Sequence, residues 1–250
     1  MPATPAINLN LVEVFSSLQG EGVQIGRRQL FVRLADCNLA CAYCDTPHAA
    51  EPTWRAERGP GSTSLVKHPN PASIEILTKL VTEWQCQLPI HHALVLTGGE
   101  PLLQSRTLAA WLPQVSRLLP IYLESNGTLP ESLAEVLVHV TWVSMDLKLA
   151  QVTAEPTPWA AHAAFLQVAG SKTLQVKVVI DATTSDADLV EAAAFVQRHA
   201  SAVPLILQPR TVAGRPAVTG RQLLSLQATA AREHPHTLVI PQLHPMLAIY

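Results

Sequence analysis

Val32-Arg-Leu-Ala-Asp-Cys-Asn-Leu-Ala-Cys-Ala-Tyr-Cys44 (VRLADCNLACAYC) is the stretch on which the reading of this chain turns. It opens as an apolar run and ends as a loop carrying Cys37, Cys41 and Cys44 in the pattern C-x3-C-x2-C. Three thiolates on one short loop can cap three corners of an iron–sulfur cubane, leaving the fourth iron open to a small molecule. Three cysteines within eight residues are poorly spaced for a disulfide framework and well spaced for a metal. A structural zinc site is the competing reading, because His48 follows Cys44 by four residues and completes a set of three cysteines and one histidine. Cys86 stands far from the loop, inside an expected helix, and reads as a small buried hydrophobe rather than a fourth ligand.

Outward from that loop, short apolar runs alternate with stretches of helical period. Strands are expected at Leu11–Phe15, Leu30–Leu34, Ala93–Thr97, Ile121–Ser125, Trp142–Leu147, Leu174–Ile180, Leu205–Gln208 and Leu238–Pro241. Ser73 caps an expected helix over IEILTKLVTEWQCQL. Further helices are expected at Leu103–Leu119, Glu131–Val138, Trp159–Ala169, Asp186–His199 and Gly220–Glu233. Strand-then-helix repetition calls for an α/β fold with a mostly parallel sheet and right-handed crossovers. Eight strands suit a barrel, open or closed. Pro47–Pro71 and Thr211–Thr219 break the rhythm, and both are expected near the C-terminal rim of the strands, where α/β folds keep their sites. With no repeat and no linker, the chain reads as one domain, 1–250, with an insertion at about 47–71.

The 250 residues, 48% hydrophobic and 14% charged, are enough to bury a large core without a metal or disulfide to hold it. A net charge of -2 supplies no counterion-release drive toward nucleic acid. No uncharged apolar stretch approaches bilayer-spanning length, and MPATPAINLN has neither the basic nor the apolar part of a leader. The expectation is a cytoplasmic protein with reduced thiols, and neither nucleic acid nor membrane as partner.

Thr97-Gly-Gly-Glu-Pro101 follows the expected strand ALVL. Its glycines would let the backbone approach a ligand, and Glu100 would offer an acceptor to an ammonium group. In isolation the same residues also read as an ordinary βα turn.

The cysteine spacing, with Tyr43 just before the last cysteine, and Gly-Gly-Glu-Pro one strand–helix unit later resemble the radical S-adenosylmethionine (SAM) superfamily. That resemblance implies a partial or modified TIM-like (β/α) barrel, a [4Fe–4S] cluster on Cys37, Cys41 and Cys44, and SAM at its open iron. The run VFSSLQGEGVQIGRRQLFVRLADCNLACAYCDT, with TGGEPLL, ESNG, VSMDLK, VKVVI, ILQP and VIPQLH, resembles across nearly the whole chain the 7-carboxy-7-deazaguanine synthase family of deazapurine (queuosine) biosynthesis. The implied reaction is a lyase-type, Mg2+-dependent ring contraction of 6-carboxy-5,6,7,8-tetrahydropterin, with loss of ammonia.

The resemblance also assigns residues. Tyr43, Gly99, Glu100, Asn126, Ser144, Lys148 and Gln208 fall to SAM, with Asp146 as a possible sharer of the last strand end. Leu18, Gln19, Gly20 and Glu21 fall to the pterin, and Thr46 falls to Mg2+. Arg33 is expected to clamp the substrate carboxylate, with Thr97, His244 and the C-terminal Tyr250 as weaker substrate candidates. A flavodoxin or ferredoxin would supply electrons to a homodimer. Departures from the family pattern are Asp36 where Gly is frequent, Ser125 where Thr is common, and the long 47–71 stretch; none removes a ligand. Two rival functions remain at this point: a glycyl-radical enzyme activase, which shares the cysteine spacing but has no need of the Gln19–Glu21 loop, and a non-catalytic zinc module on three Cys and His48.

Overall fold

The computed structural model describes residues 7–42, 44 and 48–249. Ten strands form one sheet: β1 (Leu11–Leu18), β2 (Arg28–Leu34), β3 (Thr53–Glu57), β4 (Leu65–Pro69), β5 (Leu94–Gly98), β6 (Ile121–Ser125), β7 (Val140–Asp146), β8 (Thr173–Ile180), β9 (Leu205–Pro209) and β10 (Thr237–Val239). Their spatial order is β10-β9-β8-β7-β6-β5-β2-β1-β3-β4, so β10 and β4 are the edges among the described residues. From β2 to β10 every neighbouring pair is parallel. The crossovers carry α1 (Ile74–Gln87), α2 (Ser105–Val115), α3 (Pro130–Val136), α4 (Trp159–Ala169), α5 (Asp186–Ala200) and α6 (Gly220–Glu233). The cap expected from sequence is in place, the Ser73 hydroxyl accepting from Ile76 N–H; the structure adds capping boxes closed by Ser185 and Thr219.

The strands read as near-continuous apolar runs because both sheet faces are covered. Leu30, Val32, Leu34, Leu94, Leu96, Leu123, Met145 and Val178 face the helices in one large core. The opposite face is divided. A small apolar cluster of Phe15, Phe31, Val95 and Tyr122 fills its base, with Phe15 and Phe31 stacked at 4.9 Å. One or two residues further along the strands the same face turns polar, which places the site.

Three expectations change. β1 and β2 are antiparallel, because the connection from Gln19 to Arg27 is too short to hold a crossover helix. The stretch assigned to a rim insertion builds β3 and β4 instead, a hairpin that extends the sheet beyond β1. Pro69 is tolerated because it ends an edge strand. Cys86 is exposed rather than buried. The buried stripe of α1 runs through Ile74, Leu77, Val81 and Trp84, and a residue two beyond Trp84 lies roughly 200° around the helix.

Candidate active site

A polar row crosses the sheet on the face opposite the large core. Register pairs Arg55 of β3 with Glu13 of β1, Glu13 with Arg33 of β2, and Arg33 with Thr97 of β5. On the far side Glu124 of β6 pairs with Ser144 of β7, and Ser144 with Gln175 of β8. Thr97 and Glu124 stand where the halves join, and the Thr97 hydroxyl favours the charged form of the Glu124 carboxyl. Above this row Asp146 and Lys177 form the next pair.

A cavity of about 640 Å3 lies over the row. Its wall includes Cys37, Cys41 and Cys44 on one side and Leu18, Gln19, Gly20 and Glu21 on the other. Arg33, Thr97, Gly99, Asn126, Ser144, Lys148, Gln208 and His244 also line it. Thr211, in the stretch expected at the rim, lines it as well. Tyr43, Thr46 and Tyr250 lie outside the described residues.

Glu21 is the most strongly held ionisable group. Burial would raise its pKa, but the Lys177 ammonium and the hydrogen bond from Gln242 (Nε2 to Oε1, 2.9 Å) outweigh it and bring the carboxyl down to about 2. Lys177 also lies 3.7 Å from Asp146, and despite its burial these carboxylates raise its pKa well above the ordinary lysine value. Lys148 donates to the same Asp146 oxygen at 2.7 Å. Burial, then the Glu21 charge, raises the Glu124 carboxyl. Both amide hydrogens of Gln19 are taken, by Gln29 at 3.0 Å and Glu124 at 2.9 Å, so Gln19 presents only a carbonyl lone pair to a ligand. Gln175 locks the loop's far end: Nε2 donates to Ser144 and Tyr122, and Oε1 accepts from Val23 N–H. Gly22 is required there, since a Cβ would stand 2.0 Å from that Nε2.

Glu100 is placed differently from the expectation. It is fully buried, does not line the cavity, and accepts from Leu102 N–H (3.0 Å), Ser125 hydroxyl (3.0 Å) and Asn126 N–H (2.7 Å). Burial raises its carboxyl to about 7. Its structural effect is to fix Asn126, whose Nδ2 donates to Asn38 at 2.9 Å and approaches Cys37 Sγ at 3.9 Å. The two glycines before it serve the chain's own approach. A Cβ on Gly98 would meet Leu34 O at 2.1 Å, and one on Gly99 would meet Asp36 O at 2.0 Å.

The thiols suit a cluster by their chemistry. Cys37, Cys41 and Cys44 form no disulfide, range from half-buried to exposed, and open to the same cavity. Burial raises Cys37 and Cys41, so their thiols await a metal to deprotonate them. Among the described residues no three His, Cys, Asp or Glu side chains converge as a metal centre, so the fit rests on donor type and shared cavity. Two further acceptors, Asp146 Oδ1 and Gln208 Oε1, are buried without a hydrogen-bond partner among the described residues, which suits donors from a ligand.

Lys177, Glu124, Gln175 and Gln242 were not singled out as site residues from sequence. Lys177 and Glu124 did leave a signal: each is a lone charge inside an otherwise apolar strand, costly unless partnered.

Comparison with known proteins places the chain among relatives. The family model for the radical SAM superfamily matches residues 32–166. The 7-carboxy-7-deazaguanine synthase of Geobacter sulfurreducens is 40% identical over 238 residues, covering 94% of this chain and 95% of that protein. The synthase of Thermococcus kodakarensis is 32% identical over 217 residues, covering 80% and 83%. Among solved structures, QueE from Escherichia coli superimposes with a TM-score of 0.59 at 20% identity over 95% of both chains. Streptococcus suis SuiB bound to S-adenosylmethionine gives 0.53 at 14% identity, over 82% of this chain and 48% of that one. At these identities the two structures speak to the fold alone.

Proposed function

Because the chain belongs to the 7-carboxy-7-deazaguanine synthase family of radical SAM enzymes, we propose that it contracts 6-carboxy-5,6,7,8-tetrahydropterin to 7-carboxy-7-deazaguanine with release of ammonia. The observation that carries this reading is one cavity shared by the cysteine loop and the Gln19–Glu21 loop. Its volume, about 640 Å3, lies in the range of small-molecule and cofactor sites. The zinc and activase readings account for neither that loop nor an identity of 40% with a synthase over 94% of the chain.

A [4Fe–4S] cluster would be held by Cys37, Cys41 and Cys44 and, together with SAM, would supply one-electron radical chemistry, and Mg2+ would be held from Thr46. The chain's own residues bind and orient. Gln208, Asp146 and Lys148 offer acceptors and a cation to the SAM end, with Gly99, Asn126 and Ser144 beside them. Glu100 acts behind them as a positioning residue. Glu21, ionised at any working pH, accepts from the N–H edge of the pterin, while Lys177 fixes its orientation. Arg33 faces the substrate carboxylate, and Thr97 and His244 close the pocket. The whole chain acts as one unit, in the cytoplasm, as a homodimer reduced by a flavodoxin or ferredoxin.

Cys41→Ala tests the reading. The variant is expected to lose iron and sulfide together with all turnover. Turnover without iron, or zinc in place of iron in the unaltered protein, would contradict it.

A further inference from the structure

The polar row continues past the cavity into the hairpin β3–β4. Arg33 lines the cavity and donates through Nε to Glu13 Oε1 at 2.9 Å. The second carboxylate oxygen of Glu13 accepts from Arg55 Nη2 at 3.0 Å. These residues stand in one register row across β3, β1 and β2, so backbone pairing sets their alignment. Neither Glu13 nor Arg55 lines the cavity. The Glu13 side chain is nearly buried, and the Arg33 guanidinium lies 5.5 Å from the centre of the Phe15 ring, which holds its plane. The Arg55–Glu13–Arg33 end of the row carries two cations and one anion, so it presents net positive charge to an anionic group in the cavity, while Glu124 lies further along the row beyond Thr97.

We propose that Glu13 and Arg55 are positioning residues that aim Arg33 at the carboxylate of the substrate. The inference rests on the proposed function and deepens it: the β3–β4 hairpin serves the site without lining the cavity. A guanidinium and a carboxylate favour two parallel hydrogen bonds. Arg55 occupies the oxygen that would complete such a fork with Arg33. It therefore confines Arg33 to a single bond through Nε and leaves its two NH2 groups for the ligand. Without Arg55, Glu13 takes both, and Arg33 turns away from the cavity.

The test is calorimetric titration of the anaerobic, cluster-loaded enzyme with SAM present and the cluster left oxidised, so that no turnover occurs. The ligands are 6-carboxytetrahydropterin and the same pterin bearing hydroxymethyl in place of carboxylate. Arg55→Met is expected to weaken binding of the carboxylated pterin roughly 10-fold, the scale of one charge-assisted hydrogen bond. Binding of the uncarboxylated pterin and of SAM should stay within about twofold, and Arg55→Lys should recover most of the loss. Arg55 is half-exposed and its removal spares the core, so folding is retained. If Arg55→Met weakens both pterins alike, or neither, the positioning role is overturned while the function stands. If the unaltered enzyme binds both pterins equally or neither, the functional reading falls and the inference falls with it.

Discussion

His162 has no solvent exposure, and both ring nitrogens are engaged by main chain. Nδ1–H donates to Gly127 O at 3.1 Å, and Nε2 accepts from Lys148 N–H at 3.2 Å, so one ring ties the loop after β6 to the loop after β7. A proton on Nε2 would face an N–H, and burial lowers this pKa to about 4. Its contribution is therefore complete above the ordinary value of 6.5 and is lost as pH falls from there toward 4. Glu21 acts in the same sense lower down, its contribution falling away from pH 4.5 toward 2. Glu100, raised to about 7, acts in the opposite sense over the same window, so the histidine shows as a difference between proteins and not as a net drop. His162→Leu is expected to cost about 2 kcal/mol at neutral pH for two buried backbone groups left unpaired, and its urea midpoint should approach that of the unaltered protein as pH falls from 7 toward 4. An unchanged pH profile would remove His162 from this role. Lys177→Met leaves Glu21 and Asp146 without their shared cation and is expected to cost about 3 kcal/mol, with partial recovery on adding Glu21→Gln. Lys177 was legible only as an oddity, since nothing in VKVVI names a partner 156 positions away.

The turn after β5 shows at the level of elements why Gly-Gly is needed. Gly98 has φ +132°, and its Cβ position lies 2.1 Å from a backbone oxygen that cannot yield. Gly98→Ala is expected to cost well over 2 kcal/mol or to prevent folding. Gly26→Ala, at φ +82° with open space around it, should cost only about 1–2 kcal/mol. Equal costs for the two, measured by thermal melting, would contradict the packing explanation. Sequence marks the Gly98–Gly99 turn as a close approach to a ligand; the structure adds a close approach to the chain itself, at Leu34 and Asp36. Helices were legible where caps and apolar stripes coincide, as at Ser73 and α1. The hairpin β3–β4 was not, because TWRAE and LVKHP lie among prolines and glycines and become strands only as TWRAE pairs with β1 and LVKHP with TWRAE. Cys86 was misread because residue type was weighed ahead of its phase on α1.

Across the whole molecule, the cysteine loop and the Gln19–Glu21 loop lie at opposite ends of β2, and they share a cavity because the Gln19–Glu21 loop crosses the sheet face, with Gln19 bonded to Glu124 and Glu21 paired with Lys177. The motifs were legible, and so was the alternation that builds a parallel sheet. The polar row from Arg55 to Gln175 was not, because it is a property of register, and single-sequence periodicity does not fix which residues of neighbouring strands stand side by side. Among the described residues no helix is long and apolar enough to cross a membrane. The most direct test is an anaerobic reaction of the iron-reconstituted protein with dithionite, SAM, Mg2+ and 6-carboxytetrahydropterin, read by mass spectrometry. The expected result is 7-carboxy-7-deazaguanine with SAM largely unspent. Methionine and 5′-deoxyadenosine without that product would keep the radical chemistry and contradict the substrate.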